Sequence, residues 1–299
     1  MQSIRRGFGF FKQSWQMALA DRDLIKPTIY ALIVGVLVTV VGLVPIVLTQ
    51  LLFGTSDFGT YLSYFLGLVL VLAQYTVTYI FSAMTIYLIY GYLSEGDGRM
   101  DKAWKIVRRD FFDLVMLALA STGVKVIEGF LRGKRRGGLG NLAANILNTI
   151  WTEATYLVLP AMVIEDLGLR DGLRRATRII KENLLLVGVS TVGVGFVTGL
   201  LGFLLGATVI VLGLGVGYGL VSVLGSETLG IIAGITVGGS IAAAFILLAV
   251  LIGNYTTTAY HACLYLWARD VERAQDAGGE KITAATVQAP APLAAVLGS

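Results

Sequence analysis

The chain of 299 residues has a charged fraction of only 14%, a hydrophobic fraction of 56% and 37 glycines. Soluble domains usually contain about 25% charged and about 45 to 50% apolar residues, so this composition argues against a soluble domain and predicts a membrane protein. The single cysteine excludes an intramolecular disulfide and a cysteine-rich metal site. The net charge of +4 does not indicate nucleic-acid binding, because the basic residues stand beside apolar segments, where lipid head groups and insertion orientation account for them.

Long apolar segments predict membrane-spanning helices. A helix needs roughly 20 apolar residues to cross about 30 Å of hydrocarbon, and that length is reached by residues 27–53, 61–93, 184–206 and 229–267. Residues 207–224 are also apolar and glycine-rich, and they fit an outer interfacial element, a re-entrant piece or an additional span. We predict an all-α fold, a polytopic transmembrane helical bundle with four to six spans.

Lysine and arginine occur in bands along the chain. They are absent from residues 27–98 and 182–268 and cluster before, between and after those stretches. Because short loops rich in Lys and Arg stay in the cytoplasm, we predict a multi-pass protein of a bacterial or archaeal plasma (inner) membrane with both termini cytoplasmic. The predicted domains are a basic amphipathic segment at 1–26, a helical membrane domain at 27–268 with a polar central hairpin at 111–164, and a disordered cytoplasmic tail at 269–299.

Three of the basic segments have the apolar periodicity of amphipathic helices. The apolar stripes are Phe8, Phe11, Trp15 and Leu19; Met100, Ala103, Trp104, Val107 and Phe111; and Leu169, Leu173, Ala176, Ile180 and Leu184. Each segment leads into hydrophobic sequence, so we predict three units of an amphipathic helix followed by a helical hairpin. Such helices lie in the membrane interface with their cations on anionic lipid. The predicted head-group ligands are Arg108, Arg109, Arg170, Arg174, Arg175 and Arg178.

The central hairpin carries polar side chains three or four residues apart on both of its helices. The predicted intramembrane polar network consists of Asp113, Lys125, Glu128, Asn141, Asn145, Asn148 and Glu153. A charge at the bilayer centre costs about 2.5 to 3.5 kcal/mol even on insertion scales, so the two stripes should face each other, water or head groups. Two interpretations remain open: a structural network of ion pairs and amides, or a path for a substrate or protons.

The connection of this hairpin contains Arg132, Lys134, Arg135 and Arg136. Two complete crossings would place these four cations outside, against the distribution of charge in the other loops. We therefore predict a shallow hairpin that enters from the cytoplasmic side and returns to it. The alternative is six full spans with one anomalous loop.

The stretch GLGVGYG at residues 213–219 contains the VGYG core of a potassium-channel filter. In such a filter a Thr precedes the core and an Asp commonly follows it, whereas this chain has Gly215 and Leu220. Glycines four residues apart, such as Gly234 and Gly238, instead allow close helix packing. We predict packing within the chain, with homo-oligomerisation through the glycine-rich faces as the alternative.

His261 is the only histidine. A lone membrane histidine can ligate the metal of a haem, but without a second histidine at matched depth a hydrogen-bonding role is favoured. No nucleophile, acid/base pair or metal cluster can be assembled from the sequence. We predict no catalytic residue, no metal and no cofactor.

One region resembles a known family. The stretch WTEATYLVLPAMVIEDLG at 151–168, followed by DGLRRATRIIK at 171–181, is similar to a group of prokaryotic multi-spanning membrane proteins of unknown function. In that group a helix with Trp, then Pro, then Glu runs into a basic amphipathic segment, and AYHACLYLW at 259–267 is similar to its last span. The resemblance implies the membrane architecture and carries no catalytic residue.

These features predict a membrane protein without enzymatic activity. We expect a scaffold or accessory subunit that binds anionic membrane lipid or partner proteins at the cytoplasmic face, and no nucleic acid. The alternative is a small-solute or ion transporter or channel that uses the polar central hairpin.

Overall fold

The structure is a computed structural model of the chain, and it describes residues 2–54, 56–134, 138–182, 184–224, 228–278 and 287–297. Within those ranges the regular secondary structure is helical, without a β-strand, so the predicted all-α class is confirmed. The α-helices are α1 (Gln2–Ala20), α2 (Lys26–Phe53), α3 (Asp57–Glu95), α4 (Met100–Arg109), α5 (Phe111–Lys134), α6 (Gly138–Glu165), α7 (Leu169–Glu182), α8 (Leu184–Leu224), α9 (Thr228–Gly278) and α10 (Ala291–Leu297).

The order of the helices forms the predicted three units. The basic helices α1, α4 and α7 each precede a pair of longer helices, which are α2 with α3, α5 with α6, and α8 with α9. The two helices of each pair pack against each other. Connections of a few residues make such antiparallel neighbours the expected arrangement.

The first hairpin is held at both ends by local hydrogen bonds. At its tip, the Ser56 hydroxyl accepts a 3.2 Å hydrogen bond from the Gly59 amide and so caps α3. At its other end, Gly96 terminates α3 in the left-handed region with φ of 78°, which glycine adopts without steric cost. The Asp21 carboxylate accepts a 2.7 Å hydrogen bond from the Gly98 amide and joins the chain before α2 to the chain after α3.

The buried core lies at one end of the hairpins, and we call this region the base. It is formed by residues 79–89 of α3, 114–118 of α5, 157–163 of α6 and 255–271 of α9. Its largest fully buried side chains include Tyr255, Tyr260, Tyr265 and Trp267, all from α9. Aromatic side chains bury large areas each, so this part of α9 supplies much of the surface on which the other helices pack.

The three amphipathic helices pack on the base. Their buried residues are Phe10 and Met17 of α1, Ala103 and Val107 of α4, and Ala176 and Ile179 of α7. We predicted that these helices bury their apolar faces at the acyl boundary of the membrane, and the structure corrects that expectation. Periodicity defines an apolar face but not its partner, and the ends of the hairpins of the same chain supply apolar surface close by.

Part of the predicted stripe nevertheless stays exposed on α1 and on α4. On α1, Phe8 is 56% and Leu19 73% exposed, and on α4 Trp104 is 41% exposed. These side chains lie beside the residues that pack into the base, which gives α1 a broader apolar surface than the single stripe that we predicted. Exposed aromatic and aliphatic side chains of this kind suit the boundary between head groups and acyl chains.

The C-terminal region differs from the predicted disordered tail at 269–299. Helix α9 continues to Gly278, and the short helix α10 packs against α1, α8 and α9. Leu293 is fully buried, and the indole of Trp267 donates a 3.3 Å hydrogen bond to the Val287 carbonyl. The tail has little apolar periodicity, which is why the sequence predicts disorder. A few apolar residues, such as Leu293, are nevertheless enough to hold α10 against the core.

Beyond the base the hairpins are apolar and exposed. Five helical segments in the described ranges are long and apolar enough to cross a membrane: Arg22–Phe53, Asp57–Glu95, Phe111–Gly133, Gly202–Val223 and Ile231–Ala277. Side chains near the tips, such as Leu51, Leu52 and Val223, are more than 70% exposed. Lipid is the medium that suits so much exposed apolar surface, so the chain is a multi-pass membrane protein.

Residues 207–224, whose role the sequence leaves open, continue the helix that begins at Leu184. Helix α8 has 41 residues and α9 has 51, which corresponds to roughly 60 and 75 Å at 1.5 Å per residue. Both lengths exceed the hydrocarbon thickness of about 30 Å. The third hairpin therefore extends through the membrane and also along the base.

Glycines bring α8 and α9 into close contact. An ideal Cβ atom on Gly238 would lie 2.5 Å from the Gly213 carbonyl oxygen, and one on Gly234 would lie 2.6 Å from the Gly217 carbonyl oxygen. Only residues without a Cβ allow two helix backbones to approach so closely. The predicted packing within the chain is confirmed for these residues, and the glycines of GLGVGYG at 213 and 217 serve it.

We predict that Gly238→Ala lowers the midpoint of thermal unfolding in detergent, measured by circular dichroism. Overpacking costs about 1–3 kcal/mol, and the rigid carbonyl of Gly213 cannot move away without displacing α8. Gly239→Ala is the matched control, since a Cβ atom there meets nothing within 4 Å. It should keep or raise the midpoint, because alanine favours a helix over glycine. Equal midpoints for the two variants would contradict the close approach of α8 and α9.

The central hairpin has the shortest pair of helices, with 24 residues in α5 and 28 in α6. Its connecting residues Arg135 and Arg136 lie outside the described ranges. The shallow course of this hairpin stays a prediction, as do the cytoplasmic termini.

Cysteine labelling tests the shallow course. We expect Gly133→Cys to react with a membrane-impermeant maleimide in inverted vesicles but not in intact cells, as Lys105→Cys should on the cytoplasmic side. Asp57→Cys, at the tip of the first hairpin, should show the opposite pattern. The native Cys263 is fully buried and should give little background. Labelling of position 133 in intact cells would show that the hairpin crosses completely.

Candidate functional site

The central hairpin contains a network of paired charges and amides. Glu128, only 8% exposed at its side chain, accepts hydrogen bonds of 2.7 Å from Lys125 and 2.6 Å from Arg132. The side-chain oxygens of Asn148 and Asn145 accept from the same two cations, at 3.1 and 3.0 Å. The polar stripes of α5 and α6 thus face each other at these positions, which is one of the three arrangements that the sequence leaves open.

The remaining members of the predicted network lie elsewhere. Asp113 accepts a 3.2 Å hydrogen bond from the Leu169 amide, where its negative charge suits the N-terminus of α7. Asn141 is exposed on α6. Glu153 faces His261 of α9 across the base. Spacing along a helix shows which residues share a face. Because α6 contacts α5 near its start and α9 further along, the residues of the predicted network lie in separate sites.

A shared hydroxyl joins the central hairpin to α3. Ser121 lies 2.6 Å from the hydroxyl of Tyr79 and accepts a 2.9 Å hydrogen bond from the indole of Trp151. Trp151 therefore makes a contact inside the protein. Because Ser121 is fully buried, the three side chains satisfy one another where neither lipid nor water supplies a partner.

His261 belongs to a small cluster with Tyr156 and Glu153. Its ring stacks on Tyr156 with centroids 4.3 Å apart, and its Nδ1 lies 2.8 Å from the Thr257 carbonyl. A carbonyl only accepts hydrogen bonds, so Nδ1 carries a proton. Nε2 faces a Glu153 carboxylate oxygen at 3.4 Å, a contact that is favourable when one of those two atoms is protonated. The hydrogen-bonding role favoured from the sequence therefore describes His261.

A larger polar cavity lies between α2, α3, α6 and α9, and the sequence analysis missed it. Its volume is about 360 Å³, and its polar lining side chains are Thr28, Thr39, Gln74, Thr78, Ser82, Thr85, Tyr156, Asn254 and Thr258. Four of them follow α3 at helical spacing from Gln74 to Thr85. That uncharged stripe on α3 was the available signal in the sequence.

Two of the arginines at the base, Arg109 and Arg175, each contact two carboxylates. Arg109 contacts Asp110 at 2.6 Å and Asp166 at 3.0 Å. Arg175, 15% exposed, contacts Glu165 at 3.1 Å and also Glu272 of α9. Partial burial disfavours the charge of Arg175, but the two carboxylates outweigh this and raise the pKa of its guanidinium.

Three other arginines of α7 are exposed. They are Arg170, Arg174 and Arg178. Arg174 makes an exposed ion pair with Asp171 at 3.3 Å, which is weak in water. Arg108 of α4 is exposed as well. Of the predicted head-group ligands, the structure leaves these four exposed, pairs the exposed Arg109 with Asp110 and Asp166, and places Arg175 between α6 and α9.

Metal-ligating side chains do not converge in the part of the chain that the structure describes. No group of three His, Cys, Asp or Glu side chains there has the geometry for a metal ion. The charged residues of the central hairpin instead pair with one another.

Comparison with known families places the chain. The model of a family of unknown function, DUF6159, matches residues 59–275, which are most of the chain. The protein belongs to the DUF6159 family. The DUF6159 match runs from α3 into α9 and so includes the central hairpin, α7 and the cluster of His261. Neither a curated protein nor a solved structure matches the chain.

We predict that Glu128→Gln lowers both the amount of protein in the membrane and its unfolding midpoint. Glutamine keeps the shape but leaves Lys125 and Arg132 without a carboxylate, and a hydrogen bond to a charged group contributes about 1.5–3 kcal/mol. Glu95→Gln is the control, because its ion pair with Lys102 is exposed. The measurements are immunoblotting of membranes and thermal unfolding in detergent. An equal effect of the two substitutions would contradict a structural role for the network.

Proposed function

We propose that this protein is a membrane scaffold or accessory subunit whose base binds anionic lipid head groups at the cytoplasmic face. The proposed role is binding rather than chemistry. The observation that carries it is the row of exposed arginines on α7, held on a helix whose opposite face is anchored in the protein.

The geometry of α7 suits a flat anionic surface. Arg170, Arg174 and Arg178 are four residues apart and so lie along one side of the helix. On the other side Ala176 and Ile179 are buried in the base. The helix is thereby fixed, so the binding of head groups does not include the entropy cost of ordering its backbone.

Contacts within the base support a continuous cationic surface. The ion pair of Arg109 with Asp166 brings the end of α4 beside the connection that precedes α7. Arg108 therefore belongs to the same part of the surface as the start of α7. A basic residue close to an anionic leaflet contributes about 1 kcal/mol of attraction, so a few of them together give a useful preference for anionic lipid.

The transporter predicted as the alternative receives less support. Lys125, Glu128 and Arg132 pair with one another inside the hairpin. The cavity beside Lys125 has a volume of about 150 Å³. A charge that must bind and release an ion or solute needs to be available for it, whereas these charges satisfy each other. We therefore favour the structural interpretation of this network.

We predict that replacing Arg170, Arg174 and Arg178 together with glutamine weakens the binding of phosphatidylglycerol at least tenfold. About 1 kcal/mol for each cation gives an upper expectation of roughly a hundredfold. Binding is measured by native mass spectrometry of the purified protein during titration with the lipid. Arg175 stays unchanged, since its loss would disturb the contacts of α7 with α6 and α9.

The control removes the same charge from scattered positions. Lys12, Arg22 and Arg273 are exposed and lie on three different parts of the chain. Their joint replacement with glutamine should change phosphatidylglycerol binding much less. If both triple variants bind the lipid as the unchanged protein does, the proposed lipid-binding function is wrong.

A further inference from the structure

The cavity between α2, α3, α6 and α9 lies at the end of the membrane domain nearest the base. Its lining on α2 runs from Thr28, two residues after Lys26, to Val40. Those twelve residues correspond to roughly 18 Å along the helix. The cavity thus extends from the membrane boundary nearest the base into the hydrocarbon, which is the depth of the glycerol region and upper acyl chains of a lipid.

Several polar side chains of the cavity make no hydrogen bond within the described part of the protein. In the described residues, no hydrogen bond is made by the side chains of Ser82, Tyr156, Asn254 or Thr258. Thr258 is only 7% exposed. A hydroxyl that faces hydrocarbon without a partner is costly, so these groups favour a ligand that offers hydrogen-bonding atoms.

Other polar groups of the wall are held firmly in place. The Gln74 side-chain amide donates to the Gly35 carbonyl at 2.8 Å and to the Thr39 hydroxyl at 2.6 Å. At the inner end, the hydroxyls of Thr28 and Thr85 lie 3.5 Å apart. The polar wall of α2 and α3 is therefore ordered before anything binds.

The chemistry of the lining selects an uncharged ligand. No Asp, Glu, Lys, Arg or His is among the described residues that line it. A phosphate or ammonium group would lose its hydration there without gaining an ion pair. Hydroxyl and amide groups match hydroxyl and ester oxygens instead.

The open side of the cavity faces lipid. Val36 and Val40 of α2 and Val250 of α9 line it and are 42%, 59% and 45% exposed. A ligand therefore enters sideways from the bilayer between α2 and α9. Its apolar part remains in contact with these valines while its polar part reaches the hydroxyls.

We propose that this cavity binds a neutral diacylglycerol-type lipid of the inner leaflet. The glycerol hydroxyl and ester oxygens occupy the polar inner part, and the acyl chains leave between α2 and α9. This site is separate from the arginines of α7, and it takes a different class of lipid. Thr78, Ser82 and Tyr156 line both this cavity and the smaller one beside Lys125.

The test uses a diacylglycerol that carries a diazirine in one acyl chain near the ester. The full-length protein in mild detergent is irradiated with this probe, and the labelled peptides are identified by mass spectrometry. We expect label within residues 28–40 or 247–258, and competition by unlabelled diacylglycerol but not by phosphatidylglycerol. The double variant Ser82→Ala, Thr258→Val should take up roughly five to ten times less label, because it loses two neutral hydrogen bonds.

The matched control is Ser240→Ala, Thr236→Val, the same two changes at exposed positions of α9. It should label as the unchanged protein does. If the cavity variant fails to accumulate, Ala31→Phe replaces it, because a large ring fills the space that Ala31 lines. Equal labelling of cavity and control variants overturns the proposal. So does competition by phosphatidylglycerol, or by free glycerol, which would indicate a small-solute site.

Discussion

Hydrocarbon offers no partner to a polar group, and this constraint governs how the protein is built. Each polar side chain at membrane depth must be satisfied by the protein itself or by something that the protein admits. Lys125, Glu128 and Arg132 satisfy one another, and Ser121 is shared between two aromatic partners. In the cavity between α2, α3, α6 and α9, the side chains of Ser82 and Thr258 make no hydrogen bond within the described part of the protein, so a ligand can supply their partners.

The same constraint explains the division between hairpins and base. The outer parts of the first and third hairpins are mostly apolar and exposed, so lipid can surround them. In the base, the segment from Tyr255 to Val271 is almost fully buried. Helices α1, α4 and α7 pack there with one face and present charge with the other. The proposed lipid-binding surface is held in a fixed orientation, because its helices pack on the buried base.

The two lipid contacts that we propose lie in two different environments. At the surface of the base, water and counter-ions keep arginines charged, and attraction to anionic head groups is long-ranged and sensitive to salt. Inside the membrane domain the lining is neutral, and recognition rests on short hydrogen bonds and on shape. Neighbouring arginines of α7 differ in environment. Arg175 contacts two carboxylates inside the base, whereas Arg174 is exposed at its surface.

The sequence by itself determined the helical class, the three repeated units, a polar stripe on each helix of the central hairpin, and the close packing of the glycines at 234 and 238. Each of these depends on the period of one helix or on the solvation of a long segment, and both are local properties. Only the tertiary structure decided that α1, α4 and α7 pack on protein, that residues near Leu293 join the core, and that polar side chains from four helices meet in one cavity. Those outcomes depend on which surfaces of distant segments meet, and a pattern along one segment carries no information about its partner.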